Sequence, residues 1–370
     1  MKAFAYERAQ DVQDAVARAR DSITTVRSYF IAGGTNLIDL MRYDIEQPER
    51  LIDITHLPLN AIEPTPEGGL KIGALVSNTA LASHPTVRRD YAVLSRALLA
   101  GASQQLRNKA TTAGNLLQRT RCHYFYQPDS PCNKRQPHSG CPAKDGVHRQ
   151  LGILGVSDAC IATHPSDMAV AMRALGAQVV IARANGTQDI VELGEFYRLP
   201  EDTPYIENIL QAGDLITHVI LPPPAPSAQD SVHAYDKVRD RASYAFALVS
   251  VASVIAHDNG KITAIRLAFG GLAPMPWRDQ AVENALLGTT GDAVSIEYAV
   301  ALLLKDAITD AQTEYKAMLV QRLLHHIITR ALATPAGVSP LSSGVSDVTD
   351  HPLNDHQTTA NAADQHGGDA

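Results

Sequence analysis

The chain has 370 residues, 45% hydrophobic and 19% charged, with a formal charge of −7 and a pI near 6.0. That length gives two or three domains with sizeable cores, the composition is that of a soluble globular protein, and the acidic balance speaks against a nucleic-acid partner. No apolar run approaches the roughly 18 to 20 residues of a bilayer-spanning helix, and the start, "MKAFAYERAQDVQDAV", lacks a basic n-region followed by an apolar stretch. Alone the chain reads as cytoplasmic, although a partner carrying a leader would allow its export in folded form.

No internal repeat is present. Residues 1 to 56 alternate short elements, a helix at "AVARAR", a strand at "SYFIA", a helix opening at "NLIDLMR" and a strand at "RLIDI", in a βαβ-like rhythm. Residues 57 to 225 continue the mixture with a strand "LKIGAL", a helix "YAVLSRALLAGAS", a cysteine-bearing segment, a helix "DMAVAMRAL", a strand "AQVVIA" and "ITHVILPPPAP". The run Pro222 to Pro226 continues neither helix nor ladder and reads as a domain linker. From about 230 to 335 the pattern predicts two long strands in "ASYAFALVSVASVIAHDNGKITAIRLAFGG", joined at Asp258-Asn259-Gly260, then helices "SIEYAVALLLKDA" and "TEYKAMLVQRLLHHIITRAL". Residues 336 to 370 are polar and aperiodic, the composition of a disordered tail.

Four stretches carry chemistry. In "FIAGGTNLIDL" a strand runs into Gly33-Gly34-Thr35-Asn36 and a helix start, an arrangement that brings backbone N–H groups close to an anion. It matches neither G-x-G-x-x-G nor the Walker pattern, and a plain tight turn has the same appearance. "TTAGN", from Thr111 to Asn115, is a second run of small and hydroxyl residues that suits a diphosphate or a bland loop. In "HPSDMAVAM", Ser166 or Asp167 caps the following helix, and Asp167 is also placed to hydrogen-bond a cofactor. "YDKVRDRASYAF" sets Lys237 just before a long strand, either as a solvated strand start or as a positive charge beside a reduced flavin.

All four cysteines, Cys122, Cys132, Cys141 and Cys160, fall between the second and third of these stretches. Gaps of nine, eight and eighteen residues weaken zinc, whose sites show closely spaced pairs. Disulfides are little needed by a chain that has a sizeable core. Four thiolates are what a [4Fe–4S] cluster takes, although zinc and free thiols stay open on the residues alone. His123, His138, His148 and His164 lie nearby but are not required as ligands, and His164 reads as structural.

"IAGGTNLIDLM", "LIDI", "LKIGAL", "TTAGN", "PSD" and "YDKVRDRASYAFALVSVA", in this order and spacing, resemble the FAD-binding subunits of the xanthine oxidase family of molybdenum hydroxylases. The resemblance covers residues 1 to about 335. It implies an α+β fold, with two FAD-binding subdomains of the vanillyl-alcohol oxidase type (1–56 and 57–225) and an α+β C-terminal domain of sheet and helices (230–335). It places a pyrophosphate loop on Ala32, Gly33, Gly34, Thr35, Asn36 and Leu37 and a second loop on Thr111, Gly114 and Asn115. A carboxylate falls on Asp167, a flavin-side lysine on Lys237, and an aliphatic residue packed on the flavin on Ile216.

Many family members have a short stretch between the second loop and the Ser-Asp pair. Here an insertion, about 119–162, separates them, and members of the aldehyde oxidoreductase and 4-hydroxybenzoyl-CoA reductase types carry a [4Fe–4S] cluster in such an insertion. The resemblance thus implies Cys122, Cys132, Cys141 and Cys160 as cluster ligands. It further implies an electron-transfer subunit of a heterotrimeric aldehyde oxidoreductase, with no catalytic residue of its own. The partners are a molybdopterin subunit, a [2Fe–2S] subunit and an external acceptor, and location is periplasmic by co-export. A 4-hydroxybenzoyl-CoA reductase-like or xanthine dehydrogenase-like subunit, a self-contained FAD oxidoreductase and a zinc-bearing scaffold are the rival readings.

Overall fold

"AYER", "SYFI" and "RLID" are short runs bounded by polar residues, and each forms a four-residue strand: β1 (Ala5–Arg8), β2 (Ser28–Ile31) and β3 (Arg50–Asp53). β3 lies between the other two and is parallel to both. The intervening helix Val12–Asp21 buries Ala15, Val16 and Ala19 against Ile52, the i, i+1, i+4 spacing of one helical face. At the end of β3, burial alone would raise the Asp53 carboxyl. Bonds from Thr55, Tyr6 and Arg8 outweigh it and hold the group down to about 2. In this computed structural model the described residues are 1–21, 26–225 and 230–334. Pro226 and the expected tail at 336–370 lie outside them.

The second sheet is antiparallel throughout. It contains β4 (Ile62–Pro64), β5 (Leu70–Gly73), β6 (Gln178–Ala182), β7 (Gln188–Glu192) and β8 (Leu215–Leu221) in the order β4-β5-β8-β6-β7. Between β5 and β6 the chain forms the helices Ala92–Ala100 and Asp167–Leu175, and between these two lie residues 117–166, which hold neither helix nor strand. Seven of the nine residues of Asp167–Leu175 are buried, so small and medium apolar side chains surround that helix on nearly every side.

The third sheet comprises β9 (Val232–Val238), β10 (Val249–Asp258) and β11 (Lys261–Gly270), ordered β11-β10-β9 and antiparallel. Asn259 and Gly260 both take positive φ, 48° and 74°, at the expected turn between β10 and β11. β10 is apolar almost without alternation because both of its faces are covered. Val249, Val251 and Ile255 belong to the core that includes Val320, Leu324 and Ile327 of helix Tyr315–Ala333. Ala252 and Val254 belong to the core of the first two sheets and their helices.

Two expectations need correction here. "ASYAFAL" does not begin a long strand, since β10 starts only at Val249. Tyr244 takes a φ of 53°, and the Arg241 guanidinium donates to its carbonyl, which makes a loop of that stretch. Lys237 is therefore inside a strand of its own, β9, opposite Ser250 of β10.

Candidate functional site

A cavity of about 600 Å³ opens among the turn after β2, the third sheet, and the helices and loops between them. β2 enters it through Ala32, Gly33 and Gly34. A Cβ on Gly33 would stand 1.9 Å from the Lys109 carbonyl oxygen, and Gly34 has a φ of 72°, so both positions require glycine. Thr35 and Asn36 reach the wall, with Asn36 Oδ1 accepting from the Arg119 N–H at 2.9 Å. Leu37 opens a helix of only six residues, Leu37–Arg42.

The second loop supports the cavity from below. Thr111 is buried, and its Oγ1 accepts from the Gly114 N–H at 3.2 Å, capping the helix Thr112–Leu116. Gly114 and Asn115 face the cavity. Asn115 Oδ1 accepts from the Ser166 hydroxyl at 2.6 Å and from Gln118 Nε2 at 2.8 Å, which closes the two ends of the intervening segment against each other. Ser166 accepts from the Ala169 N–H at 2.9 Å and is the helix cap.

Freed from capping, Asp167 turns to the third sheet. Its Oδ1 accepts from the Tyr235 hydroxyl at 2.5 Å and its Oδ2 from Lys237 Nζ at 2.7 Å, with the side chains of Asp167 and Lys237 only 10% and 4% exposed. Lys237 also donates to the Ala100 carbonyl at 3.2 Å. Arg121 stands over the half-exposed Phe246 ring at the wall, 5.0 Å from its centroid. His164, also on the wall, is pushed down to about 4 by burial and lies against the Leu116 carbonyl and the Ser166 N–H.

The four cysteines line one second, much smaller pocket, together with Thr120, Phe125, Lys134 and Ala162. Cys122 and Cys160 are buried, and with Phe125, Leu151 and Leu40 they form a small apolar core of their own. All four are free thiols. Burial pushes Cys122 and Cys141 up and Cys160 up to about 11; backbone N–H groups oppose this, from Tyr124 and Phe125 on Cys122, from Ala143, Lys144 and Ile161 on Cys141, and from Ala162 on Cys160. Beside this pocket, burial works against the Glu207 carboxylate, yet Lys134 and Arg119 outweigh it and hold the group below the ordinary range. Among the described residues no group of three or more His, Cys, Asp or Glu is arranged to hold a metal ion. Lys316, fully buried, donates to the Leu151 carbonyl at 2.7 Å and the Gly271 carbonyl at 2.6 Å, both residues of the large cavity's wall, and Leu151 also belongs to the small cysteine core.

Residues 2–224 match the family described as FAD binding domain in molybdopterin dehydrogenase, and residues 233–331 match the CO dehydrogenase flavoprotein C-terminal domain. Over 333 residues, 90% of this chain and 99% of the relative, the sequence is 53% identical to the aldehyde oxidoreductase FAD-binding subunit PaoB of Escherichia coli. The chain is an FAD-binding subunit of the xanthine oxidase family. A more distant relative of this subunit is the glyceraldehyde dehydrogenase medium chain of Sulfolobus acidocaldarius, 26% identical over 77% of this chain and 81% of that one. Its fold is that of a chain of the CO dehydrogenase of Oligotropha carboxidovorans, with a TM-score of 0.69 at 22% identity over 90% of this chain and 99% of the other. Quinoline 2-oxidoreductase from Pseudomonas putida 86 has the same fold, with a TM-score of 0.67 at 21% identity over 90% of this chain and 98% of the other.

The cavity of this FAD-binding subunit brings together two glycine-containing loops and a buried ion pair, groups suited to a ligand that carries phosphates and a planar polar ring. Thr35, Asn36, Gly114, Asn115, Asp167 and Lys237 share its wall. Ala32, Gly33, Gly34, Leu37 and Thr111 stand behind the wall and shape it. Ile216 lies elsewhere. It is 2% exposed in β8, paired with Ile181 of β6, and sits in the main apolar core. Sequence reasoning missed Tyr235, which the two-residue period of "YDK" places on the same strand face as Lys237. It also missed Arg121 and Phe246, which no local pattern marks.

Proposed function

We propose that this subunit holds FAD in the large cavity and a [4Fe–4S] cluster on Cys122, Cys132, Cys141 and Cys160, within a molybdenum-dependent aldehyde oxidoreductase. The observation that carries the reading is 53% identity along 99% of an aldehyde oxidoreductase FAD-binding subunit. Aldehyde oxidation belongs to a molybdopterin chain and [2Fe–2S] relay to another, because four cysteines in all cannot ligate further clusters here. FAD, when bound, supplies an exchange between two-electron and one-electron carriers. This chain's residues hold and orient it. The Ala32 to Leu37 turn and the Thr111 to Asn115 loop receive the phosphates, and Asp167 and Lys237 meet the ring with hydrogen bonds.

Support for the cluster is the shared pocket of the four thiols and the backbone N–H groups directed at three of the sulfurs. A cluster spreads its iron over several corners and so takes thiolates standing further apart than those around a single ion. Among the described residues no helix is long and apolar enough to cross a membrane, and the location we propose is the periplasm, by co-export with a signal-bearing partner. Purification of the chain with its co-expressed partners tests the whole reading by flavin, iron and sulfide analysis and by reduction of an added acceptor with aldehyde. About one flavin and four irons on this subunit are expected. A complex lacking flavin, or flavin turnover of aldehyde by this chain alone, would sink it.

A further inference from the structure

Tyr235 sits two residues before Lys237 on β9, so both side chains leave the same face of the strand. Lys237, Asp167 and Ser250, the β10 neighbour of Lys237, line the cavity, whereas Tyr235 stands behind them, 8% exposed. One oxygen of Asp167 is taken by Tyr235 at 2.5 Å and the other by Lys237 at 2.7 Å. An ammonium has three donors. Lys237 spends one on Asp167 and one on the Ala100 carbonyl, which leaves a single N–H for whatever fills the cavity. Burial, and after it the Asp167 charge, pushes the Tyr235 phenol far above its ordinary range, so its hydroxyl is a donor at every working pH.

We propose that Tyr235 is a positioning residue for the flavin, fixing the Asp167 carboxylate and, through it, aiming the remaining Lys237 N–H into the cavity. The proposal rests on the reading of the cavity as the FAD site. Without the phenol, Asp167 Oδ1 is a charged, nearly buried oxygen short of one bond. It turns towards the cavity or draws further on Lys237, and either change exposes the flavin to more negative field. Electrons then enter the flavin less readily, and its midpoint potential falls.

The test uses the co-expressed complex carrying Tyr235→Phe, Asp167→Asn or both, with FAD dissociation followed by fluorescence on dilution and potential by spectroelectrochemical titration. Tyr235→Phe should raise the FAD dissociation constant roughly ten-fold, the size of one lost hydrogen bond to a charged group, and shift the potential downward. In the Asp167→Asn background the same change should add little, since a residue acting only through Asp167 has nothing left to act on. Unchanged affinity and potential in Tyr235→Phe, or equal losses in both backgrounds, would overturn the proposal. Should the phenylalanine variant not fold, difluorotyrosine at 235 keeps ring and hydroxyl while strengthening the donor. It should shift the potential upward, and an unchanged potential counts against the proposal. A wild-type complex without flavin overturns the cavity reading and this proposal together, while a flavin-bearing wild type indistinguishable from its variants overturns this proposal alone.

Discussion

The large cavity draws its wall from helices, strands and loops spread along the chain, Arg121 and His164 of residues 117–166 among them, whereas the cysteine pocket is lined from residues 120–162 alone. In the cavity the charged groups satisfy one another, Asp167 with Lys237 and Tyr235. In the cysteine pocket, burial pushes the Cys122, Cys141 and Cys160 thiols above their ordinary range. The first region relies on groups that are already paired. The second packs four reactive groups into a small apolar core, and a ligated cluster would invert their protonation outright.

Breaking that contrast should have its largest effect at the sulfurs. Cys160→Ser should lose most of the iron and lower the melting temperature by roughly 5 °C or more, at about 2 to 4 °C per kcal/mol, while FAD stays bound. Iron analysis, flavin content and a melting curve read all three, and full iron retention would refute the ligand set. Next comes Asp167→Asn, which strips the buried Lys237 ammonium of its carboxylate at a cost of about 3 to 5 kcal/mol. Flavin content should fall with iron content unchanged, the mirror image of the cysteine variant.

Gly33→Ala forces a Cβ to within 1.9 Å of the Lys109 carbonyl and should weaken FAD binding roughly 10- to 100-fold through overpacking of about 1 to 3 kcal/mol. Fluorescence of released flavin measures it, and wild-type affinity would mean that the turn does not touch the ligand site. The last effect is a pH dependence of stability that leaves both sites unaltered at neutral pH. His164 and His233 are both pushed down to about 4 by burial, so between roughly pH 6.5 and 4 the unfolded chain binds protons that the folded chain refuses. Their share of stability is complete above about pH 6.5 and declines towards pH 4, by up to about 3 kcal/mol for each. Urea midpoints across that range, compared with those of His233→Gln, should show a flatter profile in the variant.

Much of the fold was legible in the sequence because its signals are local. Alternation and turn residues marked β2, β3, β5, β6 and the β10–β11 hairpin. "ASYAFAL" misled because nothing in its apolar content announces that Arg241 will hold the Tyr244 carbonyl and bend the chain. The glycine turns were legible since the tight approach to Lys109 excludes any side chain. The Tyr235 bond to Asp167 was not, because it joins positions 68 residues apart in the chain and depends on how β9 packs on the helix Asp167–Leu175. Likewise the cysteines announced themselves by exclusivity, yet their spacing of nine, eight and eighteen residues says nothing about the single pocket they share.

Lys316 bears on how such subunits can be recombined. Burial pushes it down to about 7, and it bridges the Leu151 carbonyl beside the cysteine core to the Gly271 carbonyl on the cavity wall. An insertion transplanted into a relative without a matching lysine would arrive with the buried Leu151 carbonyl unanswered, at roughly 1 to 3 kcal/mol. The reverse graft, deleting the insertion while keeping the C-terminal helix, would leave a buried ammonium with half its partners. The exchangeable unit in this protein is therefore discontinuous, comprising the cysteine segment and one residue more than 150 positions further along the chain.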